Sequence, residues 1–258
     1  MKKLNFSFST KLSFDDNVYN HSFALRCIPV DNNVQKIMDC DFRIKPDVNT
    51  QFTIDAFGNN VISGYIKNEH RYLDFYVKGT AQIDSTKKAD DFLPCYLYQS
   101  SYTQPNDEIL AFYDNIKNQC GSFTPNDRTA YFSQKIFDFM TYEKNVTNTE
   151  TKASEAFILK KGVCQDYSHI LLSLLRLDKI PCRYIAGLSS CAGETHSWIE
   201  FWDGNGWIGF DPANNCFVND DYLVLSKGRD FGDCAIDRGV MFGSHTRQMQ
   251  LISSKLEQ

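Results

Sequence analysis

The stretch that decides the fold is GVCQDYSH at residues 162–169, which continues into the apolar run ILLSLL at residues 170–175. Gly162 permits a tight turn, and the run that follows is apolar around most of its circumference, as in a helix buried in a core. Cys164 is therefore expected at the N-terminus of a helix. Unpaired backbone N–H groups and the positive end of the helix dipole favour a thiolate there, which is the reactive form of cysteine.

Two downstream strands supply partners for this cysteine. Period-2 alternation over residues 195–201 predicts a strand that carries His196, and residues 207–212 predict a second strand that ends at Asp211. The turn residues between them make the two strands a hairpin, which brings His196 and Asp211 side by side. Imidazole can deprotonate a thiol, and a carboxylate can orient the ring, so all three are candidate catalytic residues. The alternative is that Cys164 only fills space in the core.

Four segments carry a resemblance to a known family: GVCQDYSH at 162–169, IPCRY at 180–184, HSW at 196–198 and GFDPANN at 209–215. In this order they resemble the transglutaminase-like superfamily of papain-like thiol enzymes, and within it the bacterial branch of candidate cysteine proteases. The resemblance implies that Cys164 is the nucleophile, His196 the base and Asp211 the orienting acid. It extends weakly over the N-terminal half of the chain.

The order of elements predicts an α+β fold. Alternating and aromatic-rich strands fill the first part of the chain, and helices are expected to begin near Asn106, at Thr124 and at Ala153. We expect a transglutaminase-like core, in which the nucleophile helix packs on an antiparallel sheet, preceded by an all-β, sandwich-like N-terminal domain. The expected limits are 1–90 for the β-rich domain, 91–105 for a linker and 106–258 for the catalytic domain.

Composition excludes some partners. The chain has 258 residues, 42% of them hydrophobic, and a formal net charge of −5. Basic residues form no stripe beyond the pairs 87–88 and 160–161, so we expect neither nucleic acid nor an anionic membrane as partner. No run of about 18 apolar residues is present, and residues 1–8 alternate like a strand and lack the apolar core of a signal peptide.

The nine cysteines are an odd number, and none forms a C-x-x-C pair. This pattern favours free thiols in a reducing cytoplasm. A zinc site built from Cys164, His169 and His196 lacks the usual ligand spacing, and no EF-hand loop is present, so we expect neither a metal nor another cofactor.

The expected chemistry is attack of the Cys164 thiolate on a peptide or glutamine-type amide, with a thioester as intermediate. The backbone N–H of Cys164 would hold the oxyanion together with a second donor that the sequence does not identify. The resemblance favours hydrolysis. The alternatives are transfer to an amine, as in transglutaminases, transfer from acetyl-CoA, as in arylamine acetyltransferases, and a catalytically silent peptide-binding module. Substrate identity and oligomeric state stay open.

Several other residues lie near the three candidates in the sequence or on the same hairpin, and two of them, both tryptophans, have two interpretations. Trp198 and Trp207 either line an acyl-donor cleft or pack against each other across strands. Asp166 is expected to complement the helix dipole, and His169 lies too far around the helix from Cys164 to be the base. No role is expected for His245.

Overall fold

The computed structural model of the protein describes residues 1–89, 92–190, 194–243 and 248–257. The helices are α1 Asp107–Lys117, α2 Pro125–Phe139, α3 Ala153–Leu159, α4 Cys164–Leu177 and α5 Phe231–Cys234, with a 3₁₀ helix at Pro94–Leu97. The first seven strands are β1 Lys2–Leu25, β2 Gln35–Lys45, β3 Thr50–Ile54, β4 Asn60–Ile66, β5 His70–Ile83, β6 Thr141–Tyr142 and β7 Lys161–Gly162. The others are β8 Cys182–Ser189, β9 Thr195–Trp202, β10 Trp207–Asp211, β11 Cys216–Phe217, β12 Tyr222–Gly228, β13 Asp237–Gly243 and β14 Gln248–Glu257.

A long first strand organises the N-terminal sheet. β1 pairs with β5 and β4 on one edge and with β14 and β13 on the other. Its alternate residues from Leu4 to Phe14 are buried, because successive side chains of a strand point to opposite faces. Within the described residues the sheet has seven antiparallel strands in the order β2-β5-β1-β4-β3, with β13 and β14 added to β1. These strands curl around one apolar core and form the expected sandwich-like region.

The second sheet has five strands in the order β11-β10-β9-β8-β12, again within the described part of the chain. Helix α4 packs on it, and a common core joins α4 residues such as Leu171 and Leu174 to Tyr184, Ile199 and Phe201 of the sheet. The expected α+β layout, with the nucleophile helix on an antiparallel sheet, is confirmed. Helices α1, α2 and α3 cover the other side of α4 and begin where the sequence predicts them.

The chain ends in the N-terminal sheet. β13 and β14 pair with β1, although both lie in the range 106–258 expected for the catalytic domain. The range 91–105 expected as a linker holds the 3₁₀ helix, whose Tyr96 is fully buried against Trp207. The division into two domains and a linker stays a prediction, but each unit receives strands or side chains from the other. None of the helices in the described ranges has the length and hydropathy needed to span a lipid bilayer.

Two buried amide side chains join the sheets. Gln35 of β2 accepts the Val224 N–H at 2.9 Å and donates to the Val224 carbonyl at 2.9 Å. Asn59 does the same with Lys227, at 2.8 Å for both hydrogen bonds. Val224 and Lys227 belong to β12, the edge strand of the five-stranded sheet. The two amides therefore complete this edge as a neighbouring strand would, and they satisfy backbone groups that would be costly to bury unpaired.

Replacing Asn59 with alanine removes both hydrogen bonds to Lys227 and leaves buried backbone groups unpaired. We expect Asn59→Ala to lower the free energy of unfolding by about 2 to 4 kcal/mol, measured by urea denaturation. Asn33→Ala is the control, because Asn33 is exposed in a nearby loop. Equal stability of the two variants would contradict the role given to Asn59.

Candidate active site

The turn before α4 holds Cys164 at the first position of the helix, after Val163 as N-cap. Asp166 closes this turn: its Oδ2 accepts the backbone N–H of Val163 at 2.8 Å and the hydroxyl of Thr147 at 2.7 Å. Burial raises the pKa of Asp166 although both hydrogen bonds lower it. Asp166 thus caps the helix and also ties the loop around Thr147 to it, a role beyond the expected dipole complement.

Gly162 allows this close approach. A Cβ atom at position 162 would lie 2.4 Å from Asp166 Oδ2 and 2.7 Å from its Cβ. Glycine is needed here because of the contact with Asp166, but Gly162 lies in the short strand β7 and not in the tight turn that the sequence predicts. On the other side, Gly162 pairs with Tyr142 across the short parallel strands β6 and β7.

The hairpin brings the other two candidates together. His196 of β9 and Asp211 at the end of β10 are both buried, and Nε2 of His196 lies 2.6 Å from Oδ2 of Asp211. Asp211 Oδ2 also accepts the amide of Asn214 at 2.8 Å and the hydroxyl of Tyr222 at 2.9 Å. Its Oδ1 accepts the backbone N–H groups of Ala213 and Asn214. The carboxylate is therefore held in one orientation, facing the imidazole.

The charges of this pair stabilise each other. Burial alone would raise the pKa of Asp211, but hydrogen bonds from His196, Asn214 and Tyr222 hold it below its ordinary value. Burial lowers the pKa of His196, but hydrogen bonds to Asp211 and Cys164 outweigh this effect and raise the pKa to about 10. His196 is therefore an imidazolium at neutral pH.

His196 acts in turn on Cys164. Burial would raise the pKa of the Cys164 thiol, but the hydrogen bond and positive charge of His196, together with the backbone N–H of Ser197, lower it below its ordinary value. The lowered pKa of Cys164 and the raised pKa of His196 together favour a thiolate–imidazolium pair, which is the ground state of an activated cysteine nucleophile.

A cleft of about 390 Å³ opens at Cys164. Tyr142, Tyr184 and His196 line it on the catalytic side, while Phe8 of β1 and Asp237 of β13 line it from the N-terminal sheet. The N-terminal region is therefore a wall of the candidate site.

Other sequence-predicted residues lie away from the cleft. Nε2 of buried His169 accepts the backbone N–H of Phe231 at 3.2 Å, so this ring nitrogen is used in a contact with α5. Trp198 packs edge-on against Tyr222, and Trp207 packs against Trp202 and Tyr96, so both indoles are packing residues. His245 lies outside the described residues.

Three contributors were not assigned a role from the sequence. Asn214 could have been found, because an aspartate followed by proline and, three and four positions later, by asparagines favours a turn closed on its own carboxylate. Tyr222 reaches Asp211 from β12, and Tyr142 reaches the cleft from a two-residue strand. No local pattern connects either tyrosine to the site, because both contacts depend on how the sheets and strands pair.

Two family models match the chain. The model of the transglutaminase-like superfamily matches residues 99–212, and the model of the bacterial transglutaminase-like N-terminal region matches residues 4–82. The chain belongs to the transglutaminase-like superfamily. The matched ranges contain the helix and hairpin that carry Cys164, His196 and Asp211, and most of the β-rich region.

Solved structures support the transglutaminase-like fold. A candidate cysteine protease from Cytophaga hutchinsonii superposes with a TM-score of 0.79 at 18% identity, covering 98% of this chain and 91% of that one. Among curated proteins, an uncharacterised protein of Mycobacterium leprae is 29% identical over 166 residues, which are 60% of this chain and 58% of that protein. An uncharacterised protein of Mycobacterium bovis is 26% identical over 126 residues, 43% of this chain and 40% of that protein. The alignments thus span about half the length of these relatives.

A methyl group at position 162 has no room beside Asp166. We expect Gly162→Ala to lower the free energy of unfolding by about 1 to 3 kcal/mol, the usual cost of overpacking, and to displace the start of α4. Gly121→Ala is the control, because a Cβ atom there meets nothing within 4 Å. Urea denaturation of both variants measures the difference, and an unchanged Gly162→Ala protein would contradict the close packing described.

The thiolate–imidazolium pair predicts an unusual pH profile for alkylation. Iodoacetamide should label Cys164 rapidly well below pH ~8.5, the ordinary pKa of cysteine, because the thiolate persists to lower pH. In His196→Ala the labelling should titrate near the ordinary value, since the stabilising charge is gone. Peptide mass spectrometry separates Cys164 from the eight other cysteines. Identical profiles for the two proteins would rule out the pair.

Proposed function

We propose that this protein is a thiol hydrolase or acyltransferase that attacks a peptide or glutamine-type amide through Cys164, His196 and Asp211. The observation that carries this proposal is that Cys164, at the start of α4, shares one cleft with His196, whose Nε2 lies 2.6 Å from Oδ2 of Asp211. The lowered pKa of the Cys164 thiol agrees with this arrangement. The alternative of a cysteine that only fills space in the core has no need of such a pair and is therefore disfavoured.

The reaction begins when the Cys164 sulfur attacks the amide carbonyl carbon. A C–S bond forms, and the π electrons of the carbonyl move to oxygen, where the backbone N–H of Cys164 at the start of α4 stabilises them. His196 then gives its proton to the amide nitrogen, the C–N bond breaks, and an amine leaves with a thioester behind. Asp211 keeps the ring oriented throughout, because the carboxylate is itself fixed by Tyr222 and Asn214.

The second half of the reaction consumes the thioester. Neutral His196 can now take a proton from the incoming water or amine, whose oxygen or nitrogen attacks the thioester carbonyl, and the Cys164 thiolate is released. We favour water as the acceptor. The rim of the cleft carries the ion pair of Lys144 and Glu194, whose side chains are 57% and 65% exposed. A rim this open gives water access to the thioester, whereas transfer to an amine requires water to be excluded.

Two proposals about context accompany this function. The partner is a peptide or protein that presents an amide to the cleft, and the compartment is the cytoplasm. Free thiols support the second proposal: the eight cysteines among the described residues form no disulfide, and Cys191 lies outside those residues. A catalytically silent peptide-binding module is the competing function, and it has no use for the activated thiol.

The test follows the fate of the acyl group. Wild-type protein, Cys164→Ala and the control Cys40→Ala are incubated with a mixture of casein peptides and benzyloxycarbonyl-glutaminylglycine, with excess monodansylcadaverine as amine. Cys40 is an exposed thiol on β2, away from the cleft. Mass spectrometry counts cleaved peptides, deamidated glutamine and amine-labelled glutamine. We expect hydrolysis products in the wild type and in Cys40→Ala and none in Cys164→Ala.

Other outcomes decide between the alternatives. Predominantly amine-labelled glutamine would make the protein a transglutaminase. Acetylation of Cys164 by acetyl-CoA, without any amide product, would favour the acetyltransferase alternative. Absence of every product, together with ordinary alkylation of Cys164, would leave the binding module.

A further inference from the structure

The proposed reaction needs a second hydrogen-bond donor for the oxyanion. One donor, the backbone N–H of Cys164, follows from the start of α4, and a tetrahedral oxyanion is usually held by two. The missing donor must lie beside that N–H, reach the same oxygen and keep its proton at neutral pH.

Several polar groups near Cys164 are committed elsewhere. The Thr147 hydroxyl donates to Asp166, and the Gln165 amide donates to the carbonyl oxygens of Asn148 and Thr149 at 3.5 and 3.3 Å. Ser197 acts on the sulfur through both its hydroxyl and its backbone N–H. Each of these groups therefore already has a partner in the unliganded protein: Asp166, the carbonyl groups of the loop, or the Cys164 sulfur.

Tyr142 meets the requirements by position. It pairs across β6 and β7 with Gly162, which precedes Cys164 by two residues. The backbone N–H of the next residue, Glu143, donates to the Gly162 carbonyl at 3.0 Å. The short strand pair therefore fixes Tyr142 beside the start of α4. Its ring stacks obliquely on Tyr167 at 6.2 Å between centroids, and the residue lines the cleft with Cys164 and His196.

The phenol of Tyr142 shares the cleft with Cys164 and lies close enough to the Cys164 backbone N–H for that N–H to lower the phenol's pKa. The hydroxyl is therefore near the position that a substrate carbonyl oxygen would take against that N–H. Burial and the nearby charges of Cys164 and Glu194 raise the pKa of Tyr142 to about 12. The phenol thus stays protonated at neutral pH and is able to donate.

We propose that Tyr142 is the second oxyanion donor of this site. When the substrate carbonyl enters, its oxygen accepts the Cys164 N–H, and the Tyr142 hydroxyl donates to the same oxygen. The hydrogen bond strengthens as negative charge develops, and no proton leaves the phenol. This inference rests on the proposed function, because it concerns a carbonyl attacked by Cys164.

The test compares two reagents that modify the same sulfur. Acetylation by p-nitrophenyl acetate passes through an oxyanion, whereas alkylation by iodoacetamide displaces iodide at a CH₂ carbon and forms none. Tyr142→Phe keeps the ring and its packing on Tyr167 and removes only the hydroxyl. We expect acetylation of Cys164 to slow about 100-fold, the lower end for loss of one oxyanion donor, while the alkylation rate and its pH profile stay within twofold of wild type.

The matched control is Tyr167→Phe, which removes a hydroxyl from the neighbouring ring that packs in the core. Both of its rates should match the wild type. Acetylation of Tyr142→Phe at the wild-type rate, or an equal slowing with both reagents, would overturn the inference. Failure of the wild type to alkylate or acetylate faster than an ordinary thiol would instead overturn the proposed function itself, so the two failures are distinguishable.

Discussion

The burial of α4 on the five-stranded sheet is the constraint on which the site depends. The helix carries the sulfur and the sheet carries the imidazole, so only the packing between them fixes the distance from Cys164 to His196. Leu171 and Leu174 are fully buried in that contact, and truncating one such leucine typically costs about 2 to 5 kcal/mol. A small shift of α4 on the sheet would therefore separate the Cys164 sulfur from the His196 imidazole, and each group would lose the charge that stabilises it.

The parts of the site and fold that depend on neighbouring residues are predictable from the sequence. The helix start at Cys164, the hairpin that joins His196 to Asp211 and the caps of α1 and α2 all arise from residues close together in the chain. Periodicity and turn residues therefore predict them. The alternation of β1 predicts a strand equally well, but no local signal states that both edges of this strand are occupied or that β13 and β14 return to it.

The contacts that sequence reasoning missed join elements that are far apart in the chain. Tyr222 of β12 contacts Asp211 of β10 although β8 and β9 lie between these two strands. Tyr142 lies beside the start of α4 because β6 pairs with β7. Hydrogen bonds of this kind depend on strand order, which alternation alone does not specify. The sequence left two roles open for Trp198 and Trp207 for the same reason. Whether an indole faces a cleft or packs on a neighbouring strand depends on which elements cover that face of the sheet.

The amide bridges from Gln35 and Asn59 to β12 also protect an edge of the five-stranded sheet that would otherwise be open. An open sheet edge is a template for pairing with another chain, and proteins usually protect it with charges, prolines or a covering element. Here side-chain amides take the place of a neighbouring backbone. A chain that lost its N-terminal region would keep α4 and the five-stranded sheet, but the backbone groups of Val224 and Lys227 would be exposed. We would expect such a chain to aggregate through this edge before the position of the Cys164 thiol changed.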